Sequence, residues 1–373
     1  VKIAVPALDI SALGAGGGSI AWIDSGGILD LGPHSAGAAP GPACYGQGGE
    51  LPTLTDANLV LGLIAPESFL GGRLALDRDL AAKAVEIYVA KPLGLSVEDA
   101  AFAVNALASA RIAEGIRANT VRRGLDPREF TIFSFGGAGG LHAAAVAEEL
   151  EIPRAVIPRE ASVLSAVGFL AADVRHDYQR VVGHRLPELT TALLRERYAE
   201  LDAEAIKALG AEGFAPDAVR FTRVLDCRYF RQVYTVPVEI TDADLARDDN
   251  MDWFADAFET VYSALYRHVH ERDAIVVDSC RLVAHGALPS LSLPKGEPNG
   301  GDTATAQRGS RRVYLGAWID APCFWFDDLT PSMRLNGPAM IDSESTTVTL
   351  PDGVAADIDP YGSLVVTRTG DQS

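Results

Sequence analysis

Two glycine clusters, Gly14-Ala15-Gly16-Gly17-Gly18-Ser19 and Gly136-Gly137-Ala138-Gly139-Gly140, each follow a strand-like apolar run and narrow the architectures open to this chain. A strand that breaks into residues without Cβ atoms makes a turn whose backbone N–H groups can close on a phosphate or lie against a flat ring. Two such turns in one chain predict a nucleotide site on an α/β framework.

The second cluster has the clearer setting. Thr131-Ile132-Phe133-Ser134-Phe135 reads as a buried strand, residues 141–150 as a helix leaving the turn, and Arg154-Ala155-Val156-Ile157 as a further strand. Upstream, Asp24-Ser25-Gly26-Gly27 signals a hairpin. The apolar spacing turns helical over 77–90 and 96–123, the latter with Ser96 as N-cap and Ala on both sides, as in a buried helix. Beyond Arg180 a charged helix over 189–209, strands over 219–229 and 232–240, a helix over 252–269 and a strand over 274–284 predict a separate α+β domain. Residues 295–310, rich in Gly, Pro, Asn and Thr, read as a linker or loop, and 311–373 as short β segments with turns at Asn336-Gly337 and Asp352-Gly353.

Further words carry a family resemblance. They are Gly32-Pro33-His34-Ser35-Ala36-Gly37-Ala38-Ala39-Pro40-Gly41-Pro42-Ala43-Cys44-Tyr45-Gly46, Pro52-Thr53-Leu54-Thr55-Asp56-Ala57-Asn58, Asp126-Pro127-Arg128-Glu129-Phe130, Leu164-Ser165-Ala166-Val167-Gly168, and Leu335 to Ile341 with Ser345-Thr346-Thr347. In this order they resemble the hydantoinase A / 5-oxoprolinase / acetone carboxylase β-subunit family, over the C-terminal half of a typical member. The resemblance implies an α/β fold, the second half of an actin/sugar-kinase-like (ASKHA) ATPase fold, followed by an α+β domain and a β-rich C-terminal segment. The expected domains are a nucleotide-binding domain at 1–182, the α+β domain at 183–294, the linker at 295–310 and the β-rich segment at 311–373.

In that superfamily a glycine turn of the second domain lies against adenosine. The resemblance thus implies that Phe135, Gly136, Gly137, Ala138, Gly139 and His142 line an adenosine pocket; close packing of a helix on a sheet is the alternative use of the same glycines. Gly16, Gly17, Gly18 and Ser19 could present N–H groups and a hydroxyl to phosphoryl oxygens, or could form a tight turn between strands. The family's other phosphate loops, Asp-x-Gly-Gly-Thr and Gly-Gly-Thr-Ser-Thr-Asp, do not occur. ATP and Mg²⁺ are therefore expected with most metal ligands outside this chain, on an N-terminal half supplied as a separate chain or lost by truncation, and the isolated chain is expected to be inactive. Without that half, an apolar edge is expected to be exposed in the first 60 residues.

His34, Cys44, Tyr45, Asp56 and Asn58 fall in the Pro- and Gly-rich loop and the start of the helix after it. Their spacing fits no compact metal motif, and a Cys between Ala and Tyr reads as packed rather than reactive. Asp56 reads as a helix cap, so His34 and Asp56 are catalytic candidates through the resemblance alone. Metal ligands are not expected. His268 and His270, two apart, should point to different sides of a helix. Arg228 and Arg231 read as a solvated strand face, and Arg231-Gln232 stands where family members often carry Gly-Gln.

The family uses ATP to turn a poorly electrophilic oxygen of a cyclic amide or ketone enol into a phosphorylated leaving group, and a hydantoinase B-type subunit completes hydrolysis or carboxylation. The resemblance implies that role with a small-molecule substrate; the rival is a non-catalytic assembly subunit of such a complex. A net charge of −18, from 50 acidic and 32 basic residues, argues against nucleic-acid and anionic-membrane partners. Four cysteines without a CxxC pair fit a reduced cytoplasm, and no apolar run reaches eighteen residues. The first residues lack a signal-peptide pattern, and Val at position 1 suggests a fragment, a processed product or a trimmed chain.

Overall fold

The computed structural model describes residues 10–247, 251–298 and 302–370. Most of the apolar run before the first glycine cluster, at 1–9, falls outside the described residues. One compact unit combines Asp9–Val167 with Ser292–Ser373, and the other is built from Gly168–Leu291.

The first unit opens with a hairpin of β1 (Ser19–Ile23) and β2 (Leu29–Ser35), closed by Asp24, whose carboxylate accepts from Gly26 and Ile28 N–H. Helix α1 (Leu54–Val60) follows, then α2 (Arg78–Val85), which starts on the Asp77 side chain and runs through a π turn at Glu86–Ala90 into α3 (Lys91–Leu93). Helix α4 (Val97–Val121) starts on Ser96, whose hydroxyl accepts from Asp99 N–H. Its Ala100, Ala101 and Ala108 are buried, and these small side chains let α1 and β2 come close, while buried Ala113 packs against Val146 and Ala147 of the helix that follows the second glycine cluster. Next come β3 (Ile132–Phe133), α5 (Ala143–Glu149), β4 (Arg154–Ile157) and α6 (Leu164–Ala171). Ile10, Leu13, Trp22 and Ile28 are exposed, which places apolar surface in the first 60 residues.

The second unit holds β5 (Val174–Arg185), α7 (Thr191–Ala211), β6 (Val219–Tyr229), β7 (Val236–Ile240), α8 (Asp242–Leu245), α9 (Asp252–Tyr266) and β8 (Ile275–Gly286). The strands form an antiparallel sheet in the order β5-β8-β6-β7. Alternate residues Leu225, Cys227 and Tyr229 share a core with Leu194, Tyr198, Leu201, Ala205 and Leu209 of α7 and Phe254, Phe258 and Tyr262 of α9. Each such large side chain stabilises by about 2 kcal/mol when removed from water. The expected bound at 182/183 falls inside β5, because that strand pairs with β8 along most of its length.

Helix α9 ends at Tyr266, earlier than the expected 269, where Arg267 turns left-handed at φ 60°. His268 and His270 therefore lie beyond the helix, and their rings meet edge to face at 5.0 Å rather than diverging. Arg231 has φ 74°, a conformation that costs an L-residue about 1 kcal/mol and a glycine nothing.

The chain then returns to the first unit. Within the stretch read as loop lie α10 (Thr303–Ala306) and the start of β9 (Gln307–Tyr314). After them come β10 (Trp318–Trp325), β11 (Arg334–Asn336), β12 (Ala339–Asp342), β13 (Thr347–Leu350), β14 (Val354–Ile358) and β15 (Leu364–Arg368). Two sheets result, in the orders β13-β12-β10-β9 and β11-β14-β15-β4-β3. Leu364 pairs with Ile157, so residues 311–370 are β-rich as expected and also complete the sheet that carries the second glycine cluster. No helix among the described residues is long and apolar enough to cross a membrane.

Candidate functional site

Helix α1 is the hub. Thr53 caps it and Asp56 closes a capping box, so the cap is Thr53 and Asp56 is its reciprocal partner. The fully buried Asp56 carboxylate accepts from Ala43 N (3.2 Å), Cys44 N (2.7 Å), Thr53 N (2.8 Å) and Thr53 Oγ1 (2.8 Å). A carboxylate so occupied pins the Pro- and Gly-rich loop to the helix and leaves little capacity for proton transfer. Cys44 beside it is fully buried, and burial, with the Asp56 charge adding, drives its thiol pKa far up, away from nucleophile chemistry. Tyr45 is half-buried against Phe69, with ring centroids 6.1 Å apart, and burial raises its phenol. His34 is exposed on β2.

The residue of α1 preceding Asp56, Thr55, touches the first glycine cluster: its N–H donates to Gly17 O at 2.9 Å and its Oγ1 at 3.0 Å. Within that cluster the Ser19 hydroxyl accepts from Gly16 N at 2.9 Å and donates to Gly14 O at 3.1 Å. The hydroxyl expected for a phosphate thus ties the turn together.

The second cluster begins at Gly136, with φ 91° and its N–H donating to Ala161 O at 2.7 Å. Thr346 Oγ1 reaches both Gly136 O (3.1 Å) and Gly137 O (3.2 Å) from the tight turn between β12 and β13. In that turn Ser343 Oγ accepts from Thr346 N at 2.9 Å, and Ser345 Oγ lies 2.6 Å from Ser162 Oγ. The Thr346 hydroxyl thereby bolts the turn to the loop.

Between them lies a cavity of about 200 Å³ lined by Thr55, Asn58, Ile64, Ala65, Ser68, Phe69, Leu70, Gly137, Ala138, Leu141 and Ser343 to Thr347. Its size suits one ring system or sugar rather than a whole nucleotide. Buried Asn58 accepts from Asn105 Nδ2 at 2.7 Å. The outer wall, Ser68 to Gly72, includes three successive left-handed residues, Leu70, Gly71 and Gly72.

Of the expected adenosine residues, Gly137 and Ala138 line this cavity. Gly136 and Gly139 shape the turn, Phe135 is largely exposed, and His142 is buried behind it, with Nδ1 2.9 Å from Ser109 Oγ on α4. Burial alone lowers the His142 pKa to about 4, so the ring is neutral at pH 7 and acts as a core side chain. Sequence reasoning assigned no site role to Thr55, Phe69 or Ser343 to Thr347. The signal at hand was the word Ser345-Thr346-Thr347, whose Thr346 hydroxyl staples the glycine loop. Among the described residues no group of three or more His, Cys, Asp or Glu could hold a metal ion. The described residues therefore do not fit Mg²⁺.

Residues 1–178 match the family described as Hydantoinase/oxoprolinase, and residues 187–366 match the Hydantoinase/oxoprolinase C-terminal domain. The caprolactamase subunit alpha of Pseudomonas jessenii is 33% identical over 377 residues, covering 98% of this chain and 53% of that protein. The acetone carboxylase beta subunit of Xanthobacter autotrophicus is 30% identical over 373 residues, covering 96% of this chain and 52% of that protein. A nucleotide-free structure of acetone carboxylase, from a description of ATP-dependent acetone carboxylation, matches with a TM-score of 0.83 at 30% identity, covering 95% of this chain and 52% of that one. The chain spans about half the length of these relatives.

Proposed function

This chain belongs to the hydantoinase/oxoprolinase family, and on that premise we propose that it supplies the adenosine-binding half of an ATP-dependent cyclic-amide hydrolase or ketone carboxylase subunit. The observation that carries this reading is the Gly136 to Gly140 turn, stapled by Thr346, whose Gly137 and Ala138 form one wall of an almost uncharged cavity. Such a wall suits a flat base or a sugar and offers no cation to a phosphate. A second polypeptide or region bearing Asp-x-Gly-Gly-Thr and Gly-Gly-Thr-Ser-Thr-Asp holds the phosphates and the metal. ATP passes its terminal phosphoryl group to a substrate oxygen and leaves as ADP, which makes that oxygen a good leaving group. A hydantoinase B-type subunit completes hydrolysis or carboxylation on a small molecule in the cytoplasm.

The test mixes this chain with such an N-terminal half and follows ADP formation with hydantoin, lactam and ketone substrates. We expect the mixture to hydrolyse ATP and each part alone to be inactive. In Gly137→Val the new Cβ would stand 3.1 Å from Ser345 O and its methyl groups would fill the cavity, so activity should fall more than about tenfold. Two folded halves that associate without hydrolysing ATP would overturn the catalytic reading in favour of an assembly subunit.

A further inference from the structure

The charge distribution of the cavity orders the parts of a ligand within it. Glu344 is the one charged side chain among the described residues that line it, and it has no hydrogen-bond or ion-pair partner among the described residues. It is exposed, whereas Asn58 and Leu141 of the same lining are buried. Its position is fixed, because Ser343 and Thr346 close the turn that presents it and Thr346 and Ser345 fasten that turn to the glycine loop and Ser162. Opposite stands Gly71, at φ 66°, where an added Cβ would lie 3.6 Å from Glu344 Cδ. The missing side chain leaves room beside the carboxylate.

Resting on the nucleoside reading above, we propose that Glu344 is the specificity-determining residue of this chain, taking the vicinal hydroxyls of the sugar on its two carboxylate oxygens. A carboxylate accepts only, and its two oxygens match two adjacent O–H donors. The base then lies inward, against Phe69, Ala138 and Leu141, where burial of a flat ring is favourable. Phosphates are turned outward, since no Lys, Arg or His in the lining offsets repulsion from Glu344. Glu344 thus sets the direction in which the nucleotide lies as well as the sugar it accepts.

The experiment titrates the purified full chain with adenosine, 2′-deoxyadenosine and 3′-deoxyadenosine, using the native sequence, Glu344→Gln and Gly137→Val. The native chain should bind adenosine about tenfold more tightly than either deoxynucleoside, the size of one charge-assisted hydrogen bond. Glu344→Gln should lose that preference by weakening adenosine alone, and Gly137→Val should weaken all three ligands together. If Glu344→Gln keeps the preference, or binds adenosine as the native chain does, the Glu344 assignment fails while the nucleoside site stands. If none of the three ligands binds the native chain, the nucleoside reading fails and this assignment with it. A Glu344→Gln chain whose unfolding midpoint matches the native one excludes misfolding as the cause of a loss.

Discussion

At Gly140 an added Cβ would lie 2.6 Å from Val348 Cγ2 and 2.7 Å from Thr347 O, whereas at Gly16 it would meet nothing within 4 Å. The two glycine clusters look alike as sequence, yet the second is glycine-rich chiefly so that β13 and its turn can press against it. The first mixes both uses: a Cβ added at Gly17 or Gly18 would lie 2.9 Å from Thr55 Oγ1 or 2.8 Å from Ser35 Oγ, and Gly16 stands open. Glycine therefore reports close approach without saying what approaches, and only the neighbours separate a packed wall from a surface left for a ligand. The cavity exists because the second loop is packed on one side, by Thr346 and Val348, and open on the other, at Gly137 and Ala138.

The strongest way to break the contrast is to remove what both loops share. Asp56 holds α1 in place, and through Thr55 that helix meets the first cluster and lines the cavity beside the second. Asp56→Ala would leave three N–H groups and a hydroxyl without their acceptor in a fully buried site, which should cost about 3 kcal/mol or more. Denaturant unfolding would measure it. A loss under about 1 kcal/mol would mean that the two loops do not depend on this hub.

Next in size is an acid effect confined to the second loop. His142 enters α5 directly after the glycine turn, and its folded pKa is about 4 against an ordinary 6.5. Above pH 6.5 the ring is neutral in both folded and unfolded chains. Between 6.5 and 4 the unfolded chain binds a proton that the folded one does not, so stability falls as pH falls and levels off below 4. The loss is at most about 3 kcal/mol. His142→Gln, which keeps a partner for Ser109, should flatten this stretch of the stability profile. An unchanged slope would place the acid sensitivity elsewhere.

Gly140→Ala comes third, at about 1–3 kcal/mol, because two of the atoms it would meet, Thr347 O and Val348 Cα, are backbone and cannot swing aside. Calorimetric melting would register it. A neutral result would imply that β13 can shift away from the loop, and with it the wall of the cavity.

Much of this architecture was legible locally. The helix after the second cluster, the Ser96 cap and the strand at Arg154–Ile157 follow from side-chain period and capping chemistry, which act within a few residues, whereas the strand before that cluster, read as buried over 131–135, is only Ile132–Phe133 and leaves Phe133 and Phe135 exposed. What was not legible is the closure of the site by distant segments. Ser343 to Thr347 reach the glycine loop from two hundred residues away, and β15 completes the sheet of β4; no local period encodes either pairing. His142 was misleading for the same reason, since a polar residue after a glycine turn reads as a ligand contact until α4 is seen behind it. Ser19 likewise offered a hydroxyl to a phosphate in the sequence, and the fold spends it on Gly14 and Gly16.

The smallest effect is the most discriminating. At Gly16 an Ala has open space and no left-handed backbone to oppose it, so Gly16→Ala should leave stability within about 0.5 kcal/mol of the native chain. Ser19 needs the Gly16 N–H and not its missing side chain, so the turn itself survives. If the first cluster exists to let phosphoryl oxygens approach its backbone, the same methyl group should weaken ATP binding in the assembled enzyme while the melting temperature stays put. If ATP binding and stability are both unchanged, the first cluster serves as a turn only, and the proposed nucleotide contacts narrow to the second cluster.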